Sequence, residues 1–383
     1  MGNDSKKIKV LIIAGTMNVG GIENQLMYLI RRADREKFQI DYTTTKDHPY
    51  YEEEILSLGG RCIRIPSTEG RRFFRYCRAI YRVMKDGQYD VVHSHELFHS
   101  GMVLLIARLA GVKHRFVHAH NWSDGTTLAE RIPLKRRVYT KVMRFLIRRN
   151  ATCFLACSTL AGEYLYGKRY TQRDDYHLIY NSVDTSKFLD RYEREEAGEF
   201  TGDGWINVLQ IGRFTVVKNQ LFSAQIAEEL KRRGRRIRIL SVGNDGNAYE
   251  ARVRETIREK GLEEYMPLLG IRKDIDVLMR KSSAFLLPSQ YEGMPLVLIE
   301  AQSAGLPCVV ADTFSHEVDF GLGQIRWLPI SEPAPYWADQ LEAAVKEPRK
   351  AKADVAAVVD EKGFDSNVFA RKLCALYTES MGS

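Results

Sequence analysis

Residues 286–310 read LLPSQYEGMPLVLIEAQSAGLPCVV and place two carboxylates, Glu292 and Glu300, eight positions apart on either side of a Gly-Met-Pro turn. Glu292 follows the apolar run of residues 284–287 and precedes Gly293, so it belongs at the carboxyl end of a strand, where open parallel sheets take their ligands. Glu300 comes two helical turns later, within an otherwise apolar run (Leu296, Val297, Leu298, Ile299) that opens a helix. One carboxylate can therefore reach a sugar while the other reaches a ribose. The backbone N–H groups of Met294, Leu296 and Val297 between them are the unpaired donors of a helix amino terminus, which suits a diphosphate. Pro295 supplies no N–H and removes one such donor. A capped amphipathic helix with Glu300 on its wet face explains a carboxylate in this apolar run poorly.

Working outward, strand-like runs alternate with helical ones. KVLIIAG is followed by a helix over 22–32; QIDYTTT and RCIRIP by a helix over 73–85; DVVHSH by a helix over 101–110; then HRFVHAH. A charged, apolar-poor segment, 185–204, intervenes, and the pattern restarts with WINVLQIGR, helices over 220–233 and 249–260, RIRILSVGN, SAFLLPS and PCVVAD. Such alternation predicts parallel sheets covered by helices, one sheet in each half. The expected layout is a first α/β domain over 1–185, a linker over 186–204, a second α/β domain over 205–363 and a terminal helical segment over 364–383.

The E-x7-E pattern within PSQYEGMPLVLIEAQSAGLP resembles the donor site of retaining glycosyltransferases of the GT-B fold, family 4, and among these the bacterial exopolysaccharide and capsule enzymes. The resemblance implies two Rossmann-like, doubly wound domains facing an interdomain cleft, with the terminal helix returning to the first domain. It implies a nucleotide-diphosphate sugar as co-substrate, a UDP-sugar being expected, and no metal or other cofactor. Glu292 would orient the donor sugar and Glu300 would hold the ribose. The family's G-R…K pair falls on Arg213 and Lys218, two fixed cations able to stabilise a departing diphosphate. Arg272, in Leu269-Gly270-Ile271-Arg272, matches the loop whose backbone meets the nucleotide base. Asp274-Ile275-Asp276 spells a D-x-D, but Asp274 precedes a helical run and is expected to cap it.

Gly20-Gly21 opens a helix after the first strand, at spacing unlike a dinucleotide fingerprint, and its N–H groups can approach the donor phosphate or the acceptor. Six of the nine histidines lie between His93 and His120. Alternate residues of a strand share a face, yet no cysteine or carboxylate cluster completes a metal site around them. By resemblance His120 is the active-site histidine near the sugar 6-hydroxyl, and His95, Glu96 and Asn121 border the acceptor.

Residues 1–185 carry 30 Lys and Arg against 19 Asp and Glu, net +11, whereas the rest is net −3. The first half therefore calls for an acidic partner. Between Arg131 and Arg149 there are eight cations and no acid, interleaved with Val138, Val142, Phe145 and Leu146; Arg71, Arg72, Arg75, Arg78 and Arg82 form a second basic stretch. The two readings are peripheral docking on an anionic membrane and a domain helix with a buried apolar stripe and solvated cations, and the second basic stretch favours membrane docking through residues 131–149. Six cysteines without a CxxC pair fit a reduced, cytoplasmic protein, and membrane docking would place it at the inner face of the plasma membrane. No nucleic acid is expected, since no recognition motif is present. An epimerase or phosphorylase on the same fold, and a nucleic-acid-binding protein with a degenerate donor domain, are the rival readings.

Overall fold

The computed structural model describes residues 7–17, 20–67, 73–120, 133–190, 199–244 and 246–382. The chain divides into two compact units: residues 1–182 together with 366–383, and residues 183–365.

In the first unit seven strands, β1 (Ile8–Ile13), β2 (Phe38–Thr44), β3 (Cys62–Arg64), β4 (Val91–Ser94), β5 (His114–Ala119), β6 (Cys153–Ala156) and β7 (Tyr176–Leu178), form one sheet. Their order is β3-β2-β1-β4-β5-β6-β7, and every pairing is parallel. A parallel sheet is covered on both faces, which is why β2, β4 and β6 bury successive residues rather than alternate ones. In β1, Val10 and Ile12 enter one core with Phe116, Leu373 and Tyr377, while Leu11 and Ile13 enter the other with Tyr76, Ile80 and Val103. The helix Ser366–Met381 belongs to this unit; Phe369, Ala370, Leu373 and Tyr377 pack in the first of these cores.

The second unit repeats the plan with β8 (Ile206–Ile211), β9 (Ile237–Val242), β10 (Leu268–Gly270), β11 (Ala284–Leu287), β12 (Cys308–Ala311) and β13 (Ile325–Leu328), in the order β10-β9-β8-β11-β12-β13, again all parallel. Each sheet is wound outward and then restarted beside its first strand, which leaves switch points between β1 and β4 and between β8 and β11. Loops leaving the carboxyl ends of these strands diverge, and a ligand fits there.

The boundary falls between Ser182 and Val183, a few residues earlier than the sequence reading, because Val183 is tied into the second unit. Its N–H donates to the Phe364 carbonyl (2.9 Å), it bridges Asp365, and Thr185 Oγ1 donates to Asp365 Oδ2 (2.5 Å). The expected linker begins as a helix, Ser186–Leu189, which buries Phe188; residues 191–198 lie outside the described residues. Among the described residues no helix is long and apolar enough to cross a membrane.

Candidate active site

In the second unit the loops after β8 and β11 carry the residues read as a donor site. Gly212 follows β8 under tight packing: a Cβ on Gly243 (φ +141°) would stand 2.0 Å from the Gly212 carbonyl oxygen, and one on Gly212 would press on the Lys218 side chain at 3.0 Å. Only glycine at 243 lets the two loops approach so closely. Thr215 caps the short turn Val216–Lys218, and Asn219 follows in the left-handed region (φ +59°), which asparagine tolerates. The Asn219 amide donates to the Pro288 carbonyl (3.1 Å), and the Gln290 N–H donates to the Val217 carbonyl (2.8 Å). These two bonds hold the loops together.

Across this junction Lys218 Nζ donates to Glu292 Oε1 at 2.5 Å, with both side chains largely buried. An ammonium has three donors, so the pair leaves Lys218 able to bind another anion. Arg213 is exposed, and its guanidinium makes no ion pair with another described residue. Pro295 precedes the helix Leu296–Ser303 with no side-chain cap. Its carbonyl accepts from the N–H groups of Leu298 and Ile299, so those of Leu296 and Val297 remain at the open end. Met294 is buried beneath this turn. Glu300, the fifth residue of the helix, keeps part of its surface accessible, yet the packing round its carboxyl raises its pKa from 4.5 to about 7, against a weaker pull from Lys187. A desolvated carboxylate gains most from a ligand that donates hydrogen bonds to it.

The Glu300 helix is anchored by a residue the sequence reading missed. Arg349 donates to the carbonyls of Ala304 (2.6 Å), Met279 (2.7 Å), Arg280 (2.8 Å) and Ser282 (2.7 Å), gathering the carboxyl ends of two helices. Arg272 is held by Asp274 (2.7 and 2.9 Å) and Glu199 (3.0 Å). Asp274 therefore makes no side-chain cap, contrary to the sequence reading: a bidentate, charge-assisted pair with a guanidinium two residues away outcompetes a single N–H donor.

In the first unit, helix Gly21–Arg32 starts after Gly20 with no side-chain cap, beside Glu23, which accepts from Thr16 Oγ1 (3.1 Å). His95 and His120 stand directly after β4 and β5, and both are buried. His95 Nδ1 and His120 Nε2 are 2.8 Å apart. Burial lowers the pKa of His120 to about 4, partly offset by the Asn181 amide, and holds His93, His95 and His118 well below the ordinary value. These imidazoles are neutral at pH 7. One ring nitrogen each from His93, His95 and His118 lies within 4.8 Å of the others, a grouping that could hold a metal ion and that the sequence reading set aside. Glu96 accepts from Tyr76 Oη (3.2 Å), and burial lifts its pKa to about 7. The next residue, Leu97, is held at φ +46°, a strained turn for a branched side chain. Asn121 lies outside the described residues.

Among the described residues, the basic stretch forms helix Leu134–Asn150, whose core-facing side is Met143, Ile147 and Asn150. The other apolar stripe faces water: Leu134 is 73% exposed and Phe145 64%, with Val138, Tyr139 and Val142 exposed between them, and Phe74 on helix Phe73–Gly87 is 81% exposed. Arg144 and Arg148 are not free; they donate to the carbonyls of Tyr164, Leu165 and Tyr166. Arg75, Arg78 and Arg82 are exposed, while Arg71, Arg72 and Arg131 lie outside the described residues.

Two family models match in succession, Glycosyltransferase Family 4 over residues 19–187 and Glycosyl transferases group 1 over residues 193–356. EpsF of Bacillus subtilis (strain 168), a presumed glycosyltransferase, is 34% identical over 99% of this chain and 98% of its own. The chain belongs to glycosyltransferase family 4. A capsular polysaccharide biosynthesis glycosyltransferase, CapH of Staphylococcus aureus, is 30% identical over 77% of this chain and 78% of its own. UDP-Gal:alpha-D-GlcNAc-diphosphoundecaprenol alpha-1,3-galactosyltransferase of Escherichia coli is 27% identical over 82% and 81%. The crystal structure of Anabaena HepE in complex with UDP and glucose superimposes with a TM-score of 0.72 at 17% identity, covering 98% of this chain and all of that one. The fold is GT-B, and the activity is glycosyl transfer.

Proposed function

We propose that this glycosyltransferase moves a sugar from a UDP-sugar, with retention of configuration and without a divalent metal, to a lipid-linked glycan in exopolysaccharide or capsule assembly. The observation that carries the donor reading is the Lys218–Glu292 pair at the switch point of the second sheet, flanked by the exposed Arg213 guanidinium and the open amino terminus of helix Leu296–Ser303. HepE holds UDP and glucose, and the Escherichia coli relative takes UDP-galactose and a diphosphoundecaprenol-linked sugar; both support the choice of donor and acceptor class.

In this reading Glu292 receives hydrogen bonds from the sugar hydroxyls, Glu300 from the ribose, and the backbone at Arg272 borders the base. The diphosphate meets Arg213, Lys218 and the N–H groups of Met294, Leu296 and Val297, with those of Gly20 and Gly21 available to donor or acceptor. The bond from the anomeric carbon to the diphosphate oxygen breaks with its electron pair passing to the phosphate. The acceptor hydroxyl attacks from the same face and gives its proton to that departing phosphate. Charge grows on the leaving group as the bond breaks, so cations fixed beside it act mainly in the transition state. His120 contacts the sugar 6-hydroxyl, and His95, Glu96 and Asn121 border the acceptor.

The enzyme works at the inner face of the plasma membrane. The exposed Leu134, Val138, Val142 and Phe145 stripe, flanked by Lys135, Arg137 and Lys141 with no acid, matches a helix lying in an anionic lipid surface.

Donor and membrane claims are tested apart. Arg213→Ala is expected to lower kcat roughly 10- to 150-fold, the worth of one charge-assisted contact, with a smaller change in UDP affinity; unchanged turnover removes Arg213 from the mechanism. Co-sedimentation with phosphatidylglycerol vesicles, but not with phosphatidylcholine vesicles, is expected for the unaltered protein and is lost in the Phe74→Asp, Phe145→Asp double variant. Binding to RNA without binding to anionic vesicles would overturn the membrane assignment.

A further inference from the structure

Three buried histidines of the first sheet bring unpartnered ring nitrogens together. His93 lies in β4 and His95 follows two positions on, so both side chains stand on the same face. The parallel register sets His93 against Phe116 and Ser94 against Val117, and the next pair in that register is His95 and His118. One ring nitrogen from each of His93, His95 and His118 lies within 4.8 Å of the other two. Ring centroids are 4.2 Å apart for His93 and His95, 5.5 Å for His93 and His118, and 5.4 Å for His95 and His118. In two of the rings Nδ1 is already engaged: that of His93 meets Tyr377 Oη at 2.7 Å, and that of His95 meets His120 Nε2 at 2.8 Å. Among the described residues His93 Nε2 and His95 Nε2 are buried with no hydrogen-bond partner, and neither nitrogen of His118 has one of ordinary geometry. Buried polar atoms left bare in such number are costly, and an ion between them relieves the cost.

We propose that His93, His95 and His118 bind one transition-metal ion of the zinc class, which ties the carboxyl ends of β4 and β5 together. Its ligands are His93 Nε2, His95 Nε2 and one nitrogen of His118, with a water in the fourth position, as in other three-histidine sites. A tetrahedral ion with bonds of about 2.0–2.1 Å sets its nitrogens roughly 3.3 Å apart and the ring centroids roughly 5 Å apart. The centroids already stand near that spacing, and closing the nitrogens from within 4.8 Å moves each by about 1 Å or less. Lone pairs aimed at one point repel, so rings without the ion stand apart. A water molecule has only two hydrogens and cannot satisfy three lone pairs at once. Ligating histidines use their other nitrogen to fix the ring, and Tyr377 and His120 stand where that support is needed. Tyr377 belongs to helix Ser366–Met381, so through His93 the ion also steadies that helix on the first sheet. Donors that are all imidazole select zinc, copper, nickel or iron over magnesium and calcium, which take oxygen. The ion takes no part in sugar transfer, and its test reads metal content and stability rather than turnover.

The probe is zinc itself, added to protein stripped with a chelator and followed by metal analysis and scanning calorimetry. About one equivalent per chain is expected to bind, and with free zinc at roughly 100 times its Kd the Tm is expected to rise by about 5–10 °C. Magnesium at the same concentration is expected to leave Tm unmoved. X-ray absorption at the zinc edge is expected to show three imidazole nitrogens at about 2.0–2.1 Å. His118→Leu, which fills the same space with an apolar group, is expected to lose both the bound zinc and the zinc-dependent rise in Tm. An unmoved Tm in the unaltered protein overturns the proposal. So does zinc held equally by His118→Leu, since exposed histidines then bind it. Where His118→Leu does not fold, the absorption spectrum of the unaltered protein decides, and a shell with fewer than three imidazoles overturns the assignment.

Discussion

Replacing Glu300 by glutamine is expected to stabilise the protein while impairing it, and both effects grow as pH rises through 7. The Glu300 carboxyl titrates near 7 in the folded chain against 4.5 for a free side chain. Its neutral form is thus favoured by folding: stability is fully present below the unfolded value of 4.5 and is lost as pH rises towards 7, after which the penalty is constant. A shift of that size corresponds to about 3 kcal/mol at 1.36 kcal/mol per unit, an upper bound because the side chain keeps some contact with water. Glutamine has the same shape and no charge, so it escapes the penalty. Glu300→Gln is expected to gain about 1–3 kcal/mol at pH 8, or roughly 3–10 °C in the Tm of a unit of this size, and less than about 1 kcal/mol at pH 5. UDP titrated into the same samples should bind roughly 10-fold or more weakly to the variant at pH 8, where the ionised carboxylate is lost as a charged acceptor. The ratio of UDP affinities, unaltered protein over variant, should rise from pH 6 to pH 8 as Glu300 ionises, the ionisation of the terminal phosphate of UDP being common to both. A variant less stable at pH 8, or one with equal Tm gains at pH 5 and pH 8, would refute the reasoning.

Arg349→Ala leaves four carbonyls at two helix ends without their shared donor and is expected to cost about 2–4 kcal/mol in denaturant titration; Arg349→Lys should recover little, because a point charge lacks the planar fork. Gly243→Ala sets a methyl against the Gly212 carbonyl, so it should force the β8 loop outward, and loss of UDP-induced stabilisation with a fold that survives by circular dichroism is the expected result.

How much of this was legible beforehand depended on where each signal resides. The strand–helix alternation and the open helix terminus after Pro295 are local properties, and residues 286–310 carried them plainly. The strands β6, β7 and β13, of three or four residues, went unread, whereas the equally short β3, β4, β11 and β12 were read from the longer runs RCIRIP, DVVHSH, SAFLLPS and PCVVAD around them. The Lys218–Glu292 pair spans 74 positions, and only the pairing of β8 with β11 makes the two loops neighbours. Arg349 likewise lies 45 to 70 positions from the carbonyls it gathers, in a segment with no motif. On the basic helix, periodicity revealed apolar stripes but not which one faces the core: Met143 and Ile147 are buried, whereas Val142 and Phe145 are not. A helix neighbour decides this. A Cβ on Gly101 would fall 2.5 Å from the Met143 carbonyl, so the two helices touch along that side, and the sequence of one helix alone cannot announce it.

The charge balance of the donor site separates the glycosyltransferase from a phosphorylase on the same fold. Arg213 and Lys218 are positive, but Glu292 already sits on Lys218 at 2.5 Å, and Glu300 adds a carboxyl that ionises near neutral pH. A free phosphate ion meets the two cations and gains from them, but it is repelled by both carboxylates and has no hydroxyls with which to satisfy them. A nucleotide sugar brings the same anionic charge to the cations and, on either side of it, sugar and ribose hydroxyls able to donate to Glu292 and Glu300. On the proposed assignment the site favours the whole donor over its phosphate fragment, a discrimination made by what the carboxylates reject as much as by what the cations attract. Inorganic phosphate, at a concentration where UDP-glucose stabilises the protein, is expected to leave Tm unmoved and to compete poorly with UDP. Phosphate that protects as well as UDP, or that supports turnover without a glycan acceptor, would show that the carboxylates do not serve this purpose.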